Sequence, residues 1–226
     1  MIRTSIKRII KTIFVIAVTI GMTSAASVSQ AQDREDRWEL GLAVLYQFGT
    51  DLDFDGGSAI STDGDLGFVF DGGYNFTDNF AVNFGLQWAG IGYDGTVIDE
   101  DGDPLGIRGS YDSFALFGNA VYYFGSSALA PYVGAGIGYT WIDTNIPSGP
   151  PVTGCWWDPW YGYVCYTTYP TEVKSAFSYQ ALLGVRYDFG YNKYVRFAYT
   201  SQWVALSNAD GTPRFDVLSA EFGWIF

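Results

Sequence analysis

Large apolar residues alternate with small or polar residues, with a period of two, along most of the chain after residue 37. Because successive side chains of a β-strand point to opposite faces, this alternation predicts strands. In the first segment, every even position from Trp38 to Phe48 is large and apolar, whereas Glu39, Gly41 and Gln47 occupy odd positions. Seven further segments repeat the pattern, beginning near Leu66, Phe80, Phe114, Val133, Phe177, Val195 and Leu218. The pattern therefore predicts eight strands.

The two faces of these strands differ in a way that is unusual for a protein in water. One face is rich in Phe, Tyr, Trp and Leu, and the other consists mainly of Gly, Ala, Ser, Asn and Gln. A soluble sandwich would carry many charges on its outer face, yet only 16% of all residues are charged. An outer apolar face suits lipid, where open sheet edges are not tolerated. The predicted fold is all-β: an eight-stranded antiparallel up-and-down transmembrane β-barrel.

The connections between the predicted strands alternate in length, as they do in barrels of this kind. Three connections are short, at residues 77–79, 125–130 and 190–193. Four connections are long, at residues 49–62, 94–110, 143–173 and 207–214. We expect the short turns and both chain ends on the periplasmic side of the membrane, and the long loops outside the cell.

Residues 1–31 differ in composition from the rest and precede the first predicted strand. A basic start, an apolar stretch and a run of small residues follow one another, which is the order found in secretory signal peptides. We expect cleavage after Ala31, with Ala26 as the alternative site. A membrane anchor is the other interpretation, but the apolar stretch is shorter than the roughly 20 residues that a spanning helix needs. The remaining chain divides into a short periplasmic segment, 32–37, and the barrel, 38–226.

Charge and composition narrow the range of functions. The 226 residues include 12 Lys and Arg against 24 Asp and Glu. Four of the basic residues and none of the acidic ones lie in residues 1–31, so the other 195 residues carry 8 basic and 24 acidic side chains, a net charge of −16. This excess disfavours nucleic acid as a partner, because phosphate neutralisation needs Lys and Arg. With no His and only two Cys, we expect no cofactor and no enzymatic activity.

Much of the negative charge falls in two predicted outer loops. Asp51, Asp53 and Asp55 lie in the first loop, and residues 99–103 form an acidic run in the second. Calcium binds clustered carboxylates, but neither run has the twelve-residue calcium-loop pattern with its final Glu. We therefore expect solvated loops and no dedicated metal site.

Three stretches resemble the small eight-stranded outer-membrane barrels of Gram-negative bacteria, the OmpA-like and related families. Residues 73–81 (GYNFTDNFA) are similar to the first periplasmic hairpin of these families, and residues 131–139 (PYVGAGIGY) to their Gly-rich fifth strand. The resemblance covers essentially the whole predicted barrel and implies an outer-membrane location, in contact with lipid and lipopolysaccharide. It also implies a C-terminal signal that the barrel-assembly machinery reads during insertion, formed here by Phe222, Trp224 and Phe226.

The longest predicted loop contains both cysteines, Cys155 and Cys165, which we expect to pair in an exported protein. The bridge would restrict an exposed loop, and this alone is a sufficient role. Five aromatic side chains between the cysteines form a candidate interaction surface: Trp156, Trp157, Trp160, Tyr161 and Tyr163. Aromatic anchors on a constrained loop lose little entropy when they bind a ligand or partner. Contact with lipopolysaccharide is a further interpretation, because Trp and Tyr favour the membrane interface.

Charged residues at inward-facing positions form a second candidate site: Glu39, Asp71, Arg186, Asp188, Arg196 and Glu221. The interior of an eight-stranded barrel is only wide enough for side chains. A packed ion-pair network would therefore close the lumen, and a gated, narrow ion path is the alternative. We predict a closed polar lumen, exposed acidic, disulfide-bridged loops and a structural, adhesive or surface-interaction role. A small channel for ions or small hydrophobic molecules is the second hypothesis.

Overall fold

The computed structural model describes residues 34–53, 59–98, 104–147, 149–189, 192–206 and 211–226. The predicted signal peptide and its cleavage site lie outside these residues, as do Asp55 and the acidic run at 99–103. No helix of the described part of the chain is long and apolar enough to cross a membrane. In the same residues, no group of three or more His, Cys, Asp or Glu side chains is arranged to hold a metal ion.

The regular structure of the described residues is β-strand. The strands are β1 (Arg37–Gln47), β2 (Asp51–Asp53), β3 (Ala59–Thr62), β4 (Asp65–Asn75), β5 (Phe80–Ile98), β6 (Pro104–Tyr123), β7 (Leu129–Pro147), β8 (Val152–Asp158), β9 (Gly162–Thr168), β10 (Thr171–Phe189), β11 (Lys193–Val204) and β12 (Arg214–Ile225). The long strands coincide with the segments of alternating sequence. In such a strand, the large apolar residues cover the outside of the sheet and the small or polar residues fill the inside.

Eight of these strands close into one barrel. Their order is β1, β4, β5, β6, β7, β10, β11 and β12, and each is antiparallel to the next. The last strand pairs with the first, from Glu39 opposite Ile225 to Gln47 opposite Val217. Closure pairs the backbone groups of all eight strands, as a membrane requires. The predicted eight-stranded antiparallel up-and-down barrel is confirmed.

The two ends of the barrel differ in their connections. The short connections β4–β5, β6–β7 and β10–β11 lie at one end, together with the start of β1 and the end of β12. We call this the turn end. The long connections, including the two that contain β2–β3 and β8–β9, lie at the opposite end, which we call the loop end.

The outward and inward faces follow the sequence pattern. Trp38, Phe84 and Ile137 are among the large apolar residues that point outward and are exposed on the barrel wall. Their neighbours Glu39 and Asn83 point inward and are buried. The apolar band therefore surrounds the barrel, where lipid would cover it.

Three of the predicted long loops contain strands, and their prediction as loops is wrong in these parts. A short hairpin, β2–β3, lies within residues 49–62, and β5 and β6 continue as a paired extension through most of residues 94–110. Residues 143–173 contain the ends of β7 and β10 and a separate hairpin, β8–β9. Beyond the membrane no lipid selects an apolar face, so backbone pairing continues without the regular alternation on which the prediction depended.

The two ends of the lumen differ in the side chains that fill them. In the described residues, the buried charged side chains lie in the turn-end half, whereas the loop-end half combines an apolar cluster with uncharged polar side chains such as Gln47, Thr140 and Gln202. That cluster consists of Leu45, Ala89, Ile91, Tyr93, Tyr111 and Val217. Most of its members lie where the strands leave the predicted apolar band.

Candidate functional site

Arg196 lies at the centre of a charged cluster in the turn-end half of the lumen. Its side chain extends from β11 and is buried. Nη2 donates hydrogen bonds to Asp71 Oδ1 on β4 at 2.7 Å and to Glu221 Oε1 on β12 at 2.6 Å. Nη1 donates to Glu39 Oε1 on β1 at 3.2 Å. One guanidinium group therefore links four strands across the lumen.

Arg186 on β10 holds the second guanidinium group of the cluster. Its Nη1 donates to Glu39 Oε2 at 2.6 Å, and its Nε donates to Asp188 Oδ1 at 2.7 Å. Glu39 thus accepts from a different arginine on each of its oxygens. Asn75 Nδ2 also donates to Glu39 Oε2, at 3.2 Å. The structure brings all six lumen residues named from the sequence into one connected cluster.

Two tyrosines complete the cluster. Tyr123 Oη on β6 accepts hydrogen bonds from Arg186 Nη1 at 3.2 Å and from Arg196 Nη1 at 3.4 Å. Tyr194 Oη on β11 donates to Glu221 Oε1 at 2.7 Å. The Arg186 guanidinium also lies 4.1 Å from the centroid of the Tyr194 ring, a favourable cation–π distance. The arginines are therefore held by directional contacts on several sides.

Two inward-facing glycines make room for this arrangement. A Cβ on Gly41 would overlap the carboxylate of Glu221, and a Cβ on Gly223 would overlap the ring of Tyr194. The two side chains can cross the lumen because no side chain fills positions 41 and 223. The inward face is glycine at these two positions because any larger residue would collide with Glu221 or Tyr194.

Arg34 closes the turn end of the cluster, although it precedes β1. Its side chain is fully buried. Its backbone N–H donates to Asp78 Oδ1 at 3.0 Å, and its Nη2 donates to the carbonyl of Gly125 at 2.9 Å. Its Nε lies 3.7 Å from Asp188 Oδ2. Sequence reasoning missed Arg34, because the residue lies before the alternating pattern and within the predicted periplasmic segment.

The cluster can fix the lumen in a closed arrangement. It joins three guanidinium groups, from Arg34, Arg186 and Arg196, to four carboxylates, from Glu39, Asp71, Asp188 and Glu221. Buried charges are tolerated only when they are paired and hydrogen-bonded, so moving one group out of position would be costly.

A cavity of about 90 Å³ lies on the loop side of the cluster. Asp71, Arg196 and Glu221 line it, together with the amide side chains of Asn119 and Gln180. Gln180 Nε2 donates to Asn119 Oδ1 at 2.6 Å, so these amides are themselves paired. A polar cavity of this size has room for a few water molecules, but the charged cluster bounds it on the turn side.

The second candidate site is the β8–β9 hairpin, which we call the ribbon (residues 152–168). Cys155 and Cys165 lie directly opposite each other in its register and form a disulfide, as the sequence predicted. The two strands pair with each other and with no other described strand. Four of the five aromatic residues named from the sequence are more than half exposed, at 66% (Trp157), 89% (Trp160), 85% (Tyr161) and 74% (Tyr163), and Trp156 is 43% exposed. The ribbon thus leaves most of its ring surface exposed.

Comparison with known proteins identifies the family. A family model described as "Outer membrane protein beta-barrel domain" matches residues 15–226. The chain belongs to this family. Its structure is similar to that of Neisserial surface protein A (NspA), which is 14% identical, with a TM-score of 0.50 over 85% of this chain and 100% of that one. No curated protein sequence matches the chain.

A second similar structure is the outer membrane protein OprG from Pseudomonas aeruginosa. It is 17% identical, with a TM-score of 0.52, and the alignment covers 85% of this chain and 97% of that one. At these identities the two likenesses show the fold. Membership of the outer-membrane barrel family places the chain in the outer membrane of a Gram-negative bacterium, with its apolar outer face in lipid.

The C-terminal residues of this outer-membrane barrel lie on its wall at the turn end. The rings of Phe222 and Trp224 point outward from β12 and meet edge to face, with centroids 4.8 Å apart. The backbone N–H of Phe226 donates to the carbonyl of Trp38, 2.8 Å away, where the last strand meets the first. Reading of these three residues by the barrel-assembly machinery stays a prediction.

Proposed function

We propose that this outer-membrane barrel is a closed, non-enzymatic scaffold that acts through its outer surface, as an adhesive or surface-interaction protein. The observation that carries the proposal is the ribbon: a disulfide-bridged hairpin that leaves the barrel sheet and exposes large aromatic rings on both faces. Neighbouring exposed apolar groups of this kind mark interaction sites on many proteins.

The lumen supports the same proposal, because described side chains fill it at both ends. Arg196 spans the interior between β1, β4, β11 and β12, and the apolar cluster around Ile91 fills the loop end. Transport through the barrel would require both fillings to move. Binding of a partner would then take place at the outer surface of the barrel.

The experiment compares the wild-type chain with a variant in which a short Gly-Ser linker replaces residues 152–168. Heat-modifiable migration on a gel checks that both fold as barrels. We expect whole cells that display the wild type to adhere to protein- and polysaccharide-coated surfaces, and cells that display the variant to lose that adherence. Equal adherence by both would contradict the proposal.

A narrow ion conduit is the second candidate, and the 90 Å³ cavity above Arg196 is the observation that favours it. Recording from the full chain in planar bilayers separates the two functions. We expect no sustained conductance from the wild type. Reproducible channel openings would favour the conduit and overturn the closed scaffold.

A further inference from the structure

The two faces of the ribbon are not equivalent. Residues opposite each other in an antiparallel pair share a face, and consecutive residues alternate between faces. The register pairs Trp157 with Tyr163, Cys155 with Cys165, and Thr153 with Thr167 on one face. The other face carries Trp156 opposite Val164, and Tyr166 opposite Gly154.

On the second face the rings pack against each other. The centroids of Trp156 and Tyr166 are 4.1 Å apart in an edge-to-face arrangement. The two rings are 43% and 49% exposed. We call this the packed face. Part of its apolar surface is already used within the ribbon.

On the first face, which we call the open face, the rings of Trp157 and Tyr163 are 66% and 74% exposed. They border the disulfide, and beyond the disulfide the hydroxyls of Thr153 and Thr167 are 3.0 Å apart. The open face therefore offers two exposed rings and, next to them, a pair of hydroxyl groups.

The ribbon has almost no charge with which to attract an ionic partner. Residues 144–171 contain no Lys, Arg or His, and Asp158 is their single acidic residue. The Asp158 carboxylate accepts hydrogen bonds from the backbone N–H groups of Trp160 and Tyr161 in the ribbon's own turn. A sulfated or phosphorylated partner would find no cation there, and the acidic chain around the ribbon would repel it. The partner should be uncharged.

The size of the open face disfavours a protein partner. Each strand has seven residues, so the face is about 23 Å long and about 10 Å wide at the usual strand dimensions. That area, roughly 230 Å², is far below the ~800 Å² per partner of a stable protein–protein interface. A narrow strip of this shape matches a short chain of sugar rings.

A bilayer is also disfavoured as the occupant. Both outer edges of the ribbon carry backbone groups that no described strand pairs, and burying such groups in hydrocarbon costs several kcal/mol each. A sugar chain imposes no such cost, because its hydroxyls can hydrogen-bond those same edges. The C–H face of a pyranose also suits the electron-rich face of an aromatic ring.

We propose that the open face of the ribbon, centred on Trp157 and Tyr163, binds an uncharged oligosaccharide on a foreign surface. This inference rests on the proposed surface-interaction function and names its ligand class. In the chain, the ribbon lies between β7 and β10, which stay paired beyond Trp141 as far as Pro147 and Thr171. Residues 142–147 of β7 extend about 20 Å past the Trp141 ring at the usual rise per strand residue. The ribbon therefore begins well beyond that ring, at the loop end, which we expect to face the outside of the cell.

The test measures binding of the purified full chain, in detergent micelles, to a panel of neutral oligosaccharides of different sugars and linkages. Dextran sulfate, purified lipopolysaccharide, phosphatidylcholine vesicles and an unfolded protein are the other probes. Trp157→Ala and Tyr163→Ala change the open face, and Trp156→Ala is the matched control on the packed face. We expect each open-face variant to weaken binding of the neutral sugars about tenfold or more and the control to change it less than about threefold.

Heat-modifiable migration and the absence of reactive thiols check that each variant keeps its barrel and its disulfide. Equal losses from both faces, no binding across the neutral panel, or preferential binding of any other probe would overturn the inference. The proposed function has a separate test. If removing the ribbon abolishes adherence while the neutral panel stays negative, the inference fails and the surface function stands.

Discussion

The two halves of the lumen close the same barrel by different means. At the turn end, Arg186 and Arg196 reach carboxylates on neighbouring and opposite strands through hydrogen bonds of defined direction. At the loop end, Leu45, Ile91 and Val217 pack with tyrosine rings. Their contribution to stability depends on how completely these side chains fill the available space. A charged filling fixes which groups meet, whereas an apolar filling excludes water without specifying a partner for each atom.

This difference determines how each half responds to substitution. A buried ion pair adds little net stability over a well-packed apolar pair, but an orphaned charge is costly. A buried apolar side chain instead loses its transfer free energy and leaves a cavity when it is truncated. The charged half should therefore respond to the loss of one partner, and the apolar half to the loss of volume.

The largest expected effect comes from removing the central cation. Arg196→Ala leaves Asp71, Glu221 and Glu39 with less positive charge, and we expect the free energy of unfolding to fall by about 3–5 kcal/mol. Urea titration of the folded barrel in detergent micelles, followed by tryptophan fluorescence, measures the change.

Arg214→Ala is the matched control. Arg214 pairs with Asp216 at 2.9 Å, but its side chain is half-exposed at the loop end. The loss should stay within about 1 kcal/mol, as for other exposed pairs. If both variants lose the same stability, the buried cluster has no special role.

The apolar half should show the next largest effect. Ile91 is fully buried among Leu45, Tyr93 and Tyr111. Ile91→Ala should lower the free energy of unfolding by about 2–5 kcal/mol through lost burial and a new cavity. Because no charge is involved, the loss should be equal at low and high salt. A loss that disappears at high salt would contradict the separation of the two halves.

The barrel and the members of its charged cluster could be predicted from one property, the parity of each residue in its strand. Glu39, Asp71 and Glu221 share the inward parity of their strands, so closure brings them together. The same parity places Tyr194 beside Arg196 and could have added it to the cluster. Parity states which face a residue occupies, and in a narrow barrel that nearly determines its neighbours.

Three features could not be predicted in this way. Arg34 precedes the first strand, so no pattern places it inside the lumen. The ribbon lies in a predicted loop, where no buried face imposes an alternation, and its pairing depends on tertiary contacts and the disulfide. The apolar loop end was missed because the tyrosines at positions 93 and 111 lie beyond the segments that the pattern delimited.

A matched pair of hydroxyl deletions compares the two halves directly. Tyr123 Oη accepts from two guanidinium groups, at 3.2 and 3.4 Å, whereas among the described residues Tyr111 Oη accepts from the neutral amide of Gln47, at 3.4 Å. We expect Tyr123→Phe to cost about 1.5–3 kcal/mol and Tyr111→Phe about 0.5–1.5 kcal/mol, because hydrogen bonds to charged groups are stronger. The same urea titration measures both, and equal losses would remove the distinction.

The smallest expected effect comes from a substitution inside the charged cluster. The cluster has four carboxylates and three guanidinium groups, so it carries one negative charge in excess. Asp71 is the carboxylate whose charge can be removed with least damage, because Asn83 Nδ2 and Arg196 Nη2 both donate to its Oδ1. In Asp71→Asn the amide oxygen can take the place of Oδ1 and accept from both groups, while the amide nitrogen faces Gly85 and the cavity.

We therefore expect Asp71→Asn to change the free energy of unfolding by less than about 1 kcal/mol, since it removes an unbalanced charge and keeps both hydrogen bonds. Glu39→Gln is the control, because Glu39 accepts from a different arginine on each oxygen and an amide can serve only one of them. It should cost about 1.5–3 kcal/mol. An Asp71→Asn loss as large as that of Glu39→Gln would mean that the cluster depends on total negative charge. A loss from Asp71→Asn that is clearly smaller than the loss from Glu39→Gln would show that the cluster depends on which oxygen each donor reaches.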